Sequence, residues 1–330
     1  VEITIIRPGG LGDVIDTLPS VIHLMKSHHV VYYTSPEIGQ GLLSLIEGLE
    51  VRDFTAPHQY EIMYNGDAPC SLIGIAKFFK GDTKVVTKRP RGLTEPLWHV
   101  RSIISGDIVK DLSSIKTILD EPVIQGWGMR LGVDVSEQDI VETGVAVRHT
   151  FPTQSQSGTH EKTICIQADA SSPLKALPPS SIIDLANSLS EKYNVVVVGS
   201  VETRKRFLKL ADYGKNKDIV WKLGITLAEI VEIVAFSSAV VAHDSGVLHL
   251  AAILNVPSVA LMGPSLKRDR FKDFITNMRF INCNKSVKCA PCWFRYTHEC
   301  MNDYIETGTS RCMRSISARK VKGALRALVE

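Results

Sequence analysis

The stretch "VVAHDSGVLHLAAILNVPSVALMGPS", residues 240–265, contains a full strand–loop–helix–loop–strand passage. Its two outer runs, 239–242 and 258–262, are apolar without alternation, as strands buried on both faces of a parallel sheet are. Only His243, Asp244 and Ser245 separate the first run from a helix predicted over 246–254. A strand that feeds a helix this directly is the repeating half of a doubly wound α/β unit.

The pattern extends in both directions. Strands are predicted at 163–167, 194–200 and 219–223, with helices at 179–193, 201–213 and 226–236 between them. The first half carries a weaker copy: strands at 3–7, 30–34, 51–54 and 85–86, and helices at 13–27, 41–49, 109–119 and 122–131. In the 13–27 helix, Val14, Leu18, Val21, Ile22 and Met25 share one face. Between the halves, "HTFPTQSQSGTHEK", residues 149–162, is polar and without period, as a linker is. The expectation is two Rossmann-like domains, 1–150 and 163–330, joined by a linker at 151–162, with ligand in the cleft between them. A basic amphipathic helix, 315–329, closes the chain and is expected to pack back on the first domain.

Bulk properties narrow the function classes. A chain of 330 residues suits two cores rather than one. With 44% hydrophobic and 22% charged residues it reads as globular, and a net charge of +3 is too weak for a dedicated nucleic-acid binder. No leader-like segment and no uncharged apolar run of membrane-spanning length is visible. A cytoplasmic protein is expected, with room for peripheral contact at the inner face of the membrane.

Four segments have the composition of chemistry. In "PGGLGD", residues 8–13, the glycines miss the G-x-G-x-x-G spacing, because position 15 is Ile15, and no lysine follows as a Walker loop requires. A tight strand-to-helix turn remains, with Asp13 either capping the helix or poised as a general base. Gly9, Gly10 and Gly12 form that turn, which presents backbone N–H groups; should the chain hold a substrate there, they would clear space for it. In the second segment, Asp244, Ser245, Gly246 and His249 surround a helix N-terminus, where backbone N–H groups and the helix dipole favour phosphate. Gly263, in "MGPS", ends the neighbouring strand. The third is "ADASSPLKALPPSS", residues 168–181, whose Lys175 could meet a diphosphate. The fourth is a cysteine cluster at 283–312: Cys289, Cys292, Cys300 and Cys312, with Cys283 or His298 as substitutes. Four thiolates suit a structural zinc or iron ion; the same cysteines could equally pack as reduced thiols.

Taken together and in order, these elements resemble glycosyltransferase family 9, the ADP-heptose:lipopolysaccharide heptosyltransferases. "RPGGLGDVIDTLP" is similar to the family's R-x-[SG]-x-x-G-D-x-x-x-T-x-P element. "HDSGVLHLAAILNVPSVALMGPS" is similar to its D-[ST]-G-x-x-H element with the G-P that follows, and "CAPCWFRYTHECM" with "CMRSI" to the cysteine tail of some members. The resemblance implies a GT-B fold, with acceptor bound by the N-terminal domain and nucleotide-sugar by the C-terminal one. It implies Asp13 as general base in an inverting transfer. Lys175, Asp244, Ser245, Gly246, His249 and Gly263 would form the donor site, with no cofactor needed for the reaction. The acceptor stays open: lipopolysaccharide inner core by default, a protein hydroxyl, or a modified DNA base. "KRPRG" at 88–92 would face an anionic one. A nucleotide-sugar-binding assembly module, oligomerising through its cysteine site, is the non-enzymatic alternative.

Overall fold

The computed structural model describes residues 2–6, 10–53, 128, 133–149, 151, 161–170, 172–264, 277–283, 285, 287–292 and 298–330. The predicted strand at 85–86, the basic turn at 88–92, the helix at 109–119, Gly9 and most of the linker lie outside the described residues, as does the 122–131 helix apart from Gly128 and the His298 side chain. The chain divides into two units, Val1–Val147 and Arg148–Glu330.

Unit 1 is built on a parallel sheet, β1 (Glu2–Ile6), β2 (His29–Thr34) and β3 (Glu50–Asp53), paired in that order. Ile5, Val30, Val31 and Tyr32 are all buried, as the centre of a two-sided sheet requires. The single helix predicted at 13–27 is two: α1 (Leu11–Ile15) and α2 (Leu18–Met25). Two residues cause the break. Pro19 has no N–H to continue the ladder and sits in the first turn of α2, where that loss is harmless. Thr17 donates its hydroxyl to the Val14 carbonyl at 2.7 Å, which spends its single proton. Its contact of 2.7 Å with the Tyr32 hydroxyl is therefore donated by the tyrosine, tying the break to β2. The predicted 41–49 helix is also displaced: α3 is Pro36–Gly41, followed by one 3₁₀ turn at Leu43–Leu45.

Unpredicted from sequence, α4 (Glu137–Arg148) is secured to the end of α2 by two carboxylates, Glu142, 2.7 Å from Lys26 Nζ, and the buried Asp139. Asp139, almost fully buried, accepts from the Ser136 amide (2.9 Å) and hydroxyl (2.7 Å), from Lys26 Nζ (2.9 Å), and lies 3.1 Å from His23 Nδ1. Burial opposes its charge, but the Ser136, Lys26 and His23 hydrogen bonds outweigh that and hold the carboxyl well below the ordinary range.

Unit 2 has a six-stranded, all-parallel sheet. Its strands are β4 (Thr163–Gln167), β5 (Asn194–Gly199), β6 (Ile219–Leu223), β7 (Ala239–His243), β8 (Ser258–Met262) and β9 (Met278–Asn282). The order is β6-β5-β4-β7-β8-β9. Helices α5 (Pro179–Ser190), α6 (Val201–Phe207), α7 (Leu227–Ala235) and α8 (Gly246–Ile253) alternate with the strands. Alternate strand residues Ile164, Ile166, Val195, Val197, Val241, Val259 and Leu261 join one core with Ile182, Leu185 and Leu189 of α5. Their neighbours Cys165, Val240, Ala242 and Ala260 are buried too, so both faces are covered. Each such Val, Leu or Ile contributes roughly 1.5–3 kcal/mol by leaving water. Thr226 and Glu229 form a reciprocal capping box at the start of α7.

The C-terminal region adds α9 (His298–Thr307), α10 (Arg311–Arg314) and α11 (Ala318–Val329). Helix α11 was expected to brace the first domain. Its apolar face is spent instead within unit 2: Val321, Leu325, Leu328 and Val329 join the same core, against β7, β8, β9 and α5. No described helix is long and apolar enough to cross a membrane.

Candidate functional site

Unit 2 builds its site where its sheet changes direction. From β4 the strand order runs one way through β5 and β6, and the other way through β7, β8 and β9. The loops that leave β4 and β7 diverge there, and open parallel sheets bind ligands at such a point. The β4 loop carries Lys175 and the β7 loop carries Asp244, Ser245 and Gly246.

The structure brings these residues together. Lys175 Nζ donates to the Asp244 backbone carbonyl at 3.1 Å and lies 3.6 Å from its carboxylate. His249, buried in the first turns of α8, has Nε2 3.9 Å from the other carboxylate oxygen. Lysine, aspartate and histidine side chains are 13%, 3% and 3% exposed, so the cluster sits in a medium where charge interactions are strong. The first helical hydrogen bonds of α8 are the Leu248 and His249 amides donating to the Ser245 carbonyl. The Gly246 and Val247 amides precede that ladder at the positive end of the helix. A lysine ammonium and a helix N-terminus thus lie beside each other, and both carry positive charge or partial charge.

Two expectations change in detail. The Ser245 hydroxyl, expected as a phosphate donor, gives its proton to Gln167 Oε1 at 2.7 Å. Gln167 ends β4, so this bond ties the two loops to each other. Gly263, expected at the donor, is buried against the C-terminal segment. A Cβ there would come within 2.4 Å of Met313 Sδ and 3.0 Å of Cys312 Sγ. The spacing requires glycine for packing.

Sequence reasoning missed His243. It is fully buried at the end of β7. Its Nε2 accepts from the Leu177 amide at 2.9 Å, so the proton resides on Nδ1, which donates to the Asp169 carbonyl at 3.1 Å. One imidazole therefore spans both ends of the Lys175 loop. Burial pushes its pKa down to about 4, with the Asp169 contacts opposing. An unfolded histidine titrates near 6.5, so between these values the unfolded chain binds the extra proton. His243 contributes stability that is full above about pH 6.5, falls with pH by about 1.4 kcal/mol per unit, and is lost through pH 4. Denaturant midpoints measured from pH 7 to pH 4 should show this slope, and His243→Gln should flatten it.

In unit 1, Gly10 is the N-cap of α1, so Asp13 is the third helical residue and not the N-cap residue expected of a simple cap. An acid in the first turn still gains from the helix dipole, about 0.3–1 kcal/mol. A Cβ on Gly10 would meet no atom of the described residues within 4 Å. Gly12 is half-buried in α1.

The C-terminal cysteines, Cys283, Cys289, Cys292, Cys300 and Cys312, lie within electrostatic reach of one another. Burial first, then the neighbouring thiols, raise the pKa of Cys283 and take that of Cys300 up to about 11. Burial likewise raises Cys312. Among the described residues no group of three or more His, Cys, Asp or Glu is close enough together to hold a metal ion. The expected four-thiolate cage is therefore not assembled in this arrangement. A proton inventory says why for Cys312: Ser310 gives its one hydrogen to the Leu174 carbonyl, so its 3.1 Å contact with Cys312 needs the thiol hydrogen.

Comparison with known proteins agrees with this architecture. A 98-residue stretch is 34% identical to lipopolysaccharide heptosyltransferase 2 of Escherichia coli K12, spanning 28% of this chain and 28% of that relative. The structure of E. coli ADP-heptose lps heptosyltransferase II aligns over 100% of this chain and 98% of its own, at 19% identity and a TM-score of 0.63. TibC, a bacterial iron-containing dodecameric glycosyltransferase from enterotoxigenic E. coli H10407, aligns over 99% of this chain and 75% of its own, at 17% identity and a TM-score of 0.57. The fold is thus the GT-B fold. Residues 129–300, just over half of the chain, match the signature of glycosyltransferase family 9 (heptosyltransferase), and the chain belongs to that family.

Proposed function

We propose that the protein transfers a heptose, or a related sugar, from an ADP-linked donor to an acceptor hydroxyl with inversion at the anomeric carbon. The observation that carries this is the convergence of Lys175, Asp244 and His249 at the N-terminus of α8, where the β4 and β7 loops part. Unit 2 would hold the diphosphate between Lys175 and the Gly246 and Val247 amides. Charge builds on that diphosphate as the glycosidic bond breaks, and a fixed ammonium and helix dipole stabilise it without a divalent ion. Asp244 would hold Lys175 in place and, with His249, meet hydroxyls of the donor. Asp13 would take the proton of the attacking acceptor hydroxyl, with Gly9, Gly10 and Gly12 leaving room for the acceptor.

The matching relative acts on lipopolysaccharide by name, and inner-core lipopolysaccharide is accordingly the acceptor we assign. A peripheral membrane position in the cytoplasm follows from that substrate. The decisive experiment incubates the purified protein with a panel of nucleotide-sugars and lipid-linked inner-core acceptor. Transfer from ADP-heptose, followed by mass spectrometry, is expected; turnover with no member of the panel would overturn the assignment.

Cys289, Cys292, Cys300 and Cys312 would hold a structural zinc or iron ion only by drawing together from the arrangement described above, in which no three of them stand close enough for one. Four soft donors in one segment and the iron named for TibC support this. Bound there, the ion would cross-link the segment, each thiol giving up its proton, and leave no open position for chemistry. Elemental analysis of protein purified without a metal-affinity tag is expected to find about one ion per chain, as one four-thiolate site holds. Substoichiometric zinc and iron would end the proposal.

A further inference from the structure

The loop that presents Lys175 is gripped from a region distant in sequence. Thr309 donates its hydroxyl to the Ala176 carbonyl at 2.8 Å, and Ser310 donates to the Leu174 carbonyl at 2.7 Å. These are the residues immediately before and after Lys175. Both hydroxyls are buried, at 1% exposure each, so neither carbonyl has water as a substitute partner. On the opposite side, His243 takes the Leu177 amide and bonds the Asp169 carbonyl. The loop that carries Lys175 is therefore held at four points, two from Thr309 and Ser310 and two from His243.

Local structure does not account for this grip. Residues 173–175 form one 3₁₀ turn, closed by the Ser172 hydroxyl and by weak short-range bonds that alone do not fix a direction for the side chain. Lys175 must nevertheless hold Nζ within 3.1 Å of the Asp244 carbonyl. A shift of about 1 Å at a charge-stabilising group is enough to lose most of its effect. Ser310 is anchored in turn: it caps α10 by accepting from the Met313 amide, and Met313 is fully buried in the sheet core.

We infer that Thr309 and Ser310 are positioning residues for Lys175, so that the C-terminal segment, through two hydroxyls, sets the affinity of the donor-phosphate site. This rests on the reading of Lys175 as a diphosphate contact. The probe is ADP, titrated calorimetrically against the full chain. Thr309→Val keeps the shape and removes the hydroxyl; combined with Ser310→Ala it should weaken ADP binding about tenfold, the ordinary effect of one to two lost hydrogen bonds. Thr309→Ser, which keeps the donor, should restore most of the affinity in the Ser310 background.

A structural role alone would lower stability without coupling to Lys175, so the test is a double-mutant cycle. In a Lys175→Ala background the Thr309→Val, Ser310→Ala pair should cause no further loss. Equal losses in both backgrounds would overturn the inference, as would undiminished affinity of the pair when Lys175→Ala alone binds weakly. If Lys175→Ala itself binds ADP as the parent does, the underlying reading of Lys175 fails first and the inference with it. Should the double variant not fold, the Thr309→Val and Thr309→Ser single variants carry the same comparison.

Discussion

Asp13→Asn is expected to remove sugar transfer almost entirely, by about 10²–10⁴-fold in kcat, the range a positioned general base supplies. Asparagine has the size of aspartate and fits the third position of α1, so the change should leave the fold of unit 1 intact. What it removes is the basic carboxylate that would take the proton of the acceptor hydroxyl, since an amide oxygen is not a base near neutral pH. Affinity for ADP should stay within about twofold, because the proposed phosphate contacts come from unit 2. Transfer rates and ADP binding measured on the same preparation separate these effects. Turnover at the parent rate would show that another group takes the proton. A loss of ADP affinity equal to the loss of rate would make Asp13 a binding residue.

Lys175→Ala is the second large effect. It removes the ammonium facing the proposed diphosphate, and leaves the Asp244 carboxylate without a lysine that the structure places 3.6 Å from it. Loss of one preorganised stabilising group in a shielded site costs about 10²–10³-fold in rate. Because the interaction strengthens as negative charge accumulates on the leaving diphosphate, kcat should fall further than ADP affinity does. Lys175→Arg should recover only part, since the planar guanidinium cannot occupy the place of a compact ammonium beside the Asp244 carbonyl. A variant whose kcat is unchanged would remove lysine from leaving-group stabilisation.

What could be read from sequence divides by the range of the interaction responsible. The alternation of unit 2 was legible because parallel strands such as Asn194–Gly199 are nearly all apolar and their helices open on clear signals, as Thr226 and Glu229 do. The break between α1 and α2 could have been read from Pro19, since proline in a helical pattern ends or restarts it. Strand β9, "MRFIN", is half exposed and carries an arginine, so it lacks the apolar run that marked the others. The site was legible only in part. Asp244, Gly246 and His249 fall within six consecutive residues and declare a helix N-terminus. His243 read as a mere interruption of an apolar run, because nothing local tells an imidazole that bonds residues 169 and 177 from one that faces water. The hydroxyls of Thr309 and Ser310 reach partners 133 and 136 residues away, and no period or spacing carries that.

Gly263 shows how such remote arrangements constrain variation. A Cβ there would stand 2.4 Å from Met313 Sδ and 3.0 Å from Cys312 Sγ. An added methyl at 263 would have to displace the Met313 side chain, and where the Met313 backbone follows, so does Ser310, which receives the Met313 amide. A screen for weakened donor binding would therefore return alleles at 263 and score them as ligand contacts. They would be faults of fit, transmitted through a methionine and a serine to a lysine that the mutated residue never touches.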